Sequence, residues 1–233
     1  MYLKPTDAGL RLAVGLSGSG KTHSIKDSVD KSAPFFPIIA VDRCFEWNDS
    51  SPDVVAFRAS TVRRARELID GQGAQLVVVR PAGGLEGAIA AVDEACEWAC
   101  EDRDVLRGVA IPEAHMIAPM GSRLSESMDA LVNRWRHHNA AAWIDSQRLA
   151  KLQPDITQQA FGGEVRLFAM RGPRDLATLR EHGGRELEAG VVACYDEHFA
   201  LALACCTRGC ELCAPERGWH VTAGAPPYVP RRG

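Results

Sequence analysis

Apolar positions along the chain fall into two rhythms. Short unbroken runs bounded by Gly, Pro, Asp or Ser read as buried strands, at 11–15, 37–42, 54–57, 75–79, 105–111, 141–145 and 164–169. Between them the spacing turns helical, over 21–30, 62–69, 84–101, 125–139, 155–160 and 173–181. The longest of these keeps Ile89, Val92, Ala95 or Cys96, and Trp98 or Ala99 on a shared face. Strands and helices taking turns predict a mainly parallel α/β sheet with helices on both faces, since parallel neighbours need a crossover that a helix supplies. One such domain is expected over residues 1–204. From Cys205 the alternation stops, and 205–233 reads as a short Cys-rich, Gly/Pro-rich C-terminal arm.

Composition narrows the class. A chain of 233 residues, 46% of them hydrophobic, can bury a sizeable core. A net charge of -3 and a pI near 6.2 exclude a global basic field, so any contact with nucleic acid must use a local patch or a surface shared between subunits. No apolar run approaches the roughly 18 residues that span a bilayer, and the first residues lack a signal peptide's apolar core. A soluble, cytoplasmic protein is expected. The eight cysteines then read as thiols, core residues or metal ligands rather than disulfides. Cys96 and Cys100, one turn apart on the same helix, read as core residues.

One motif names a ligand. Residues 15–22 are Gly-Leu-Ser-Gly-Ser-Gly-Lys-Thr, a glycine-rich turn between a strand and a helix. Gly15, Gly18 and Gly20 permit a turn whose backbone N–H groups, including those of Ser17 and Ser19, surround a β-phosphate at the positive end of a helix. Lys21 supplies a point charge to the β- and γ-phosphates and Thr22 a hydroxyl for Mg²⁺, with His23 beside them in the first helical turn. ATP and Mg²⁺ are the expected ligands. Such sites also need an acid at the tip of a second strand, and Glu113, after the run 109–111 and Pro112, is placed to take a proton from water. His115 follows as a structural histidine or one that orients the site.

Several pieces in order now resemble a family. They are the phosphate loop, Glu113-Ala-His115, the helix end Asn-Arg-Trp-Arg-His-His-Asn at 133–139, Ser146-Gln147-Arg148, and the segment 165–176. Over about residues 10–203 they look like the HerA and FtsK superfamily of DNA-translocating ATPases. Within it the chain is similar to the genome-packaging ATPases of tailless, membrane-containing viruses and to the zonula occludens toxin-like morphogenesis ATPases of filamentous phages. The resemblance implies a P-loop NTPase fold of the RecA/ASCE-like kind. It also implies a homo-oligomeric ring, usually a hexamer, that acts on DNA and packages a viral or proviral genome, in the host cytoplasm or virion, with a capsid or membrane protein as a further partner. In that family a neighbour's arginine completes the ATP site, and Arg134, Arg136 and Arg148 are the candidates here, in trans or in cis. Gln147 matches the polar sensor at the end of its strand. Where the family commonly has an Asp before the glutamate, this chain has Pro112; Asp145, on a sensor strand lying between the other two, or Asp42 is the candidate replacement near Mg²⁺.

Two further features stay open. Cys206, Cys210 and Cys213 offer three thiolates at short spacing, with His220, Cys205 or Cys194 as a fourth ligand of a structural zinc; free thiols and incidental cysteines are the alternatives. Arg63, Arg64, Arg66 and Lys151 are candidate phosphate contacts or solvated surface charges. Two other functions compete with the motor. A small-molecule kinase would share the phosphate loop, and a nucleotide-gated assembly or secretion ATPase with slow turnover would suit Pro112.

Overall fold

The structure, a computed structural model, describes residues 4–15, 21–44, 47, 54–161, 163–168, 170, 172–200 and 219–221; for 186, 190, 193–200 and 219–221 it describes the backbone alone. Each apolar run of the sequence becomes a strand: β1 (Gly9–Val14), β2 (Ile38–Val41), β3 (Ala56–Ala59), β4 (Leu76–Val79), β5 (Arg107–Ile111), β6 (Ala140–Ser146) and β7 (Glu164–Leu167). The helices α1 (Lys21–Ser32), α2 (Val62–Gln72), α3 (Gly84–Glu101), α4 (Ala114–Ile117), α5 (Glu126–His138), α6 (Pro154–Phe161) and α7 (Pro173–Ala200) fill the intervals, with a 3-10 turn at Leu149–Lys151. The strands join one wholly parallel sheet in the order β3-β4-β2-β5-β6-β1-β7, and a three-residue strand β8 (Trp219–Val221) extends it beyond β7. This is the α/β P-loop NTPase arrangement, with β6 between β1 and β5 as expected.

Unequal layers cover the two faces. On one, α2, α3, α5 and α6 bury Leu10, Leu12, Val77, Val109, Ala142 and Ile144; on the other, α1 lays Ile25 and Val29 over Ala13, Ala141 and Trp143. Trp143 is the centre of that second layer. Its Nε1 donates to Ser28 Oγ at 3.0 Å, and its ring stacks on Phe36 at 6.1 Å between centroids. On the neighbouring strand the ring needs glycine, because a Cβ on Gly108 would sit 2.6 Å from Trp143 Cζ3. Caps fix the helix ends: Thr61 accepts from Arg64 N at the start of α2 and Ser125 from Met128 N at the start of α5, both at 3.2 Å.

Local details depart from the sequence expectation for physical reasons. The run expected at 54–57 pairs two residues later, with Ala56 against Leu76, and leaves Val55 exposed, because β3 is an edge strand whose register is set by β4. In α3 the buried face centres on Ala88, Val92, Ala95 and Ala99, while Ile89 lies at its margin, 38% exposed. Helix α7 continues to Ala200, broken at Gly184 (φ 75°, ψ -178°). Cys96 is buried and Cys100 packs against the same core, both free thiols. No described helix is long and apolar enough to cross a membrane.

Candidate active site

In a parallel sheet the carboxyl ends of the strands make one edge, and ligands bind outside it where the strand order reverses. β1 delivers its residues there first. Gly15 N–H donates to Ser146 O at 3.1 Å, tying the start of the phosphate loop to the end of β6. Residues 16–20, including Ser17, Gly18, Ser19 and Gly20, lie outside the described residues. Lys21 and Thr22 open α1; Lys21 is buried, Thr22 half-buried and His23 exposed.

Three side chains from two strand tips, Glu113 after β5 and Asp145 and Gln147 at the end of β6, gather around these two. Lys21 Nζ lies 3.2 Å from Glu113 Oε1, and Gln147 Nε2 donates to the same oxygen at 3.0 Å. Asp145 stands between β1 and β5, wholly buried. Its Oδ2 accepts from Thr22 Oγ1 at 3.2 Å and its Oδ1 from Glu113 N at 2.7 Å. Glu113 adopts the left-handed conformation (φ 53°, ψ 41°) directly after Pro112, a strain found at functional positions when surrounding bonds hold it. Here Asp145 supplies one of those bonds.

His115 completes the cluster. Its Nδ1 is 3.5 Å from Glu113 Oε2 and, though buried, has no hydrogen-bond partner. Burial pushes its pKa below the ordinary histidine value; Glu113 opposes that shift, and Lys151 and Lys21 reinforce it.

Other sequence candidates fall elsewhere. Asp42 ends β2, three strand spacings or roughly 14 Å from β1, where Trp47 N donates to it at 3.0 Å and Arg80 pairs with it at 3.4 Å. Arg134 and Arg136 stand at the end of α5, just before the seven-residue β6 begins, which places them at the opposite edge of the sheet, roughly 20 Å from Gln147. That separation sets both far from this chain's own Lys21 and Glu113. Arg134 pairs with Asp129 at 3.5 Å, and Arg136 lies over the Trp135 ring at 4.3 Å. Arg148 does stand at the active edge, where its Nε donates to Asp175 Oδ2 at 2.7 Å. Buried Asp175 also accepts from Ala150 N at 2.9 Å. The sequence reading missed it; an acid in the first turn of a helix was its only signal.

Arg63 and Arg64 both pair with Glu67, at 3.9 and 2.8 Å, and Arg66 with Glu101 at 2.9 Å, so α2 carries its own countercharges. Lys151 is exposed and makes no ion pair among the described residues. Cys205, Cys206, Cys210 and Cys213 lie outside the described residues, and the side chains of Cys194 and His220 are not described; among the described residues no three His, Cys, Asp or Glu side chains group as metal ligands.

No protein-family model matches the chain, and no curated protein matches it in sequence. Solved structures do match. The genome packaging NTPase B204 from Sulfolobus turreted icosahedral virus 2, in complex with AMPPCP, has a TM-score of 0.58 at 20% identity, over 81% of this chain and 88% of that one. The DNA-packaging ATPase B204 from Sulfolobus turreted icosahedral virus has 0.57 at 19%, with coverage of 81% and 88%. The N-terminal domain of zonular occludens toxin from Neisseria meningitidis reaches 0.38 at 17%, over 66% and 73%. The likeness to B204, a viral genome-packaging ATPase of the kind the sequence resembles, shows the fold.

Proposed function

We propose that the chain is an ATP-hydrolysing ring motor that translocates DNA and packages a viral or proviral genome. One observation carries the hydrolytic part: Glu113 Oε1 receives both Lys21 Nζ, at the start of α1, and Gln147 Nε2. In this reading Lys21 binds the β- and γ-phosphates. Glu113 takes a proton from water as the water oxygen bonds to the γ-phosphorus and the bond to the bridging oxygen breaks, leaving ADP and inorganic phosphate. Gln147 orients that water. The DNA and packaging parts rest on the likeness to B204, whose structures are described as a genome packaging NTPase bound to ATP analogues.

Thr22 Oγ1 and Asp145 Oδ2, adjacent oxygen donors 3.2 Å apart, fit the needs of a hard cation, which takes oxygen ligands and keeps several waters. These two would hold Mg²⁺, Thr22 directly and Asp145 through water, in place of the acid absent at Pro112. When bound, the ion would neutralise charge on the phosphates.

A second reading, a nucleotide-gated assembly ATPase with slow turnover, is favoured by Pro112 and by the closed Lys21–Glu113 pair. ATP hydrolysis with and without DNA separates the two. The motor reading expects turnover that DNA stimulates and that Lys21→Ala and Glu113→Gln each abolish. Tight binding with negligible turnover selects the second reading, and turnover indifferent to DNA overturns the motor.

A further inference from the structure

Buried polar atoms in native proteins are nearly always hydrogen-bonded, so each one that is not calls for a reason. His115 Nδ1 is such an atom, and it faces the carboxylate on which the proposed hydrolysis depends. The two oxygens of Glu113 are served unequally. Oε1 receives both Lys21 Nζ and Gln147 Nε2, whereas Oε2 has the imidazole at 3.5 Å, beyond a hydrogen bond. That balance cannot survive nucleotide binding under the function proposed above, on which this inference rests, because a phosphate draws Lys21 away from Oε1.

We infer that His115 is a positioning residue for Glu113: once Lys21 turns to the phosphates, His115 Nδ1–H donates to Oε2 and holds the carboxylate toward the attacking water, with Gln147 on Oε1. Closing the gap takes a movement of about half an ångström. The imidazole is well placed to wait. It sits on α4, whose end is fastened by Ala118 N to Ala114 O at 2.8 Å and by Gln153 N to Ala118 O at 3.0 Å, while Met120 N donates to Lys151 O at 2.7 Å. The loops leaving β5 and β6, which carry Glu113 and Gln147, are therefore stapled together. The charged groups that act on the ring are Glu113, Lys151 and Lys21; burial first, then the two lysines, lower its pKa and favour the neutral form, and Glu113 opposes them. A neutral ring can still donate one N–H to the carboxylate, from whichever nitrogen its tautomer protonates.

The test compares ATP turnover of the full chain with His115→Leu, His115→Asn and His115→Gln, beside Glu113→Gln. An asparagine amide nitrogen can stand where Nδ1 stands; a glutamine amide reaches past it, and leucine donates nothing. We expect His115→Leu to lower kcat about 10- to 100-fold with KM for ATP little changed, His115→Asn to recover most of it, and His115→Gln to recover less. Histidine ¹⁵N spectra supply a readout that does not need turnover: with a non-hydrolysable ATP analogue, Nδ1 of His115 should become a protonated hydrogen-bond donor. Wild-type kcat in His115→Leu, equal losses in all three variants, or an unprotonated Nδ1 with nucleotide bound would each overturn the inference. Should His115→Leu fail to fold, the Asn and Gln pair decides the question. Full turnover in Glu113→Gln would instead overturn the hydrolytic reading itself.

Discussion

At the scale of single residues, the site turns on Asp145. One carboxylate holds the Thr22 hydroxyl and the Glu113 N–H, so it joins the proposed Mg²⁺ side of the site to the hydrolytic side. Asp145→Asn keeps an acceptor and removes the charge. The Mg²⁺ concentration for half-maximal turnover should rise roughly tenfold or more, with little change in unfolding midpoint; a Mg²⁺ titration of ATP turnover checks it. Asp145→Ala strands the buried Glu113 N–H and should cost about 1–3 kcal/mol of stability in urea unfolding. His115 gives a pH dependence whose sign follows from its environment. Above its ordinary value of 6.5 the ring is neutral whether the chain is folded or not; below that, the unfolded chain binds the proton first, because the folded pKa is lowered. Stability is therefore lost as pH falls from 6.5 through the folded value. His115→Asn should flatten the decline in unfolding free energy between about pH 7 and pH 5.

At the scale of elements, legibility followed locality. Glu113, Asp145 and Gln147 each stand at or just past the end of an apolar run, so the runs that announced β5 and β6 also announced the active edge. The place of β6 between β1 and β5 came from the family resemblance. What stayed hidden depends on residues distant in sequence. The register of β3 belongs to β4, β8 has three residues and no periodicity, and Arg148 is tied to Asp175 across 27 positions. The four-residue α4 is too short to carry a pattern. Gly108 is a similar case: its value lies in the Trp143 ring on the next strand, which no local reading reveals. Gly108→Ala should destabilise the fold by about 1–3 kcal/mol, since neither a strand backbone nor a fully buried indole can yield easily. Urea unfolding of the variant measures it.

At the scale of the whole molecule, the arginines distinguish a ring from a self-sufficient subunit. A residue that completes a neighbour's site must stand away from its own, and Arg134 and Arg136 do so, exposed at the edge of the sheet opposite Lys21. Arg148 does not; it is moored to Asp175 beside its own sensor strand. We therefore expect Arg134 or Arg136 to act in trans, and complementation tests this directly. Lys21→Ala subunits have a dead phosphate loop and intact arginines, while Arg134→Ala/Arg136→Ala subunits have the reverse. In a mixed ring, the intact loop of one can meet the intact arginine of the other. Mixing two inactive preparations should restore ATP turnover for this pair, and should not for Lys21→Ala with Arg148→Ala, whose arginine is needed on the same chain as the loop. Recovery with Arg148→Ala alone would reassign the trans role to Arg148, by way of release from Asp175. No recovery in either mixture, from variants that still assemble with wild-type chain, would mean that each subunit hydrolyses ATP without a neighbour's arginine.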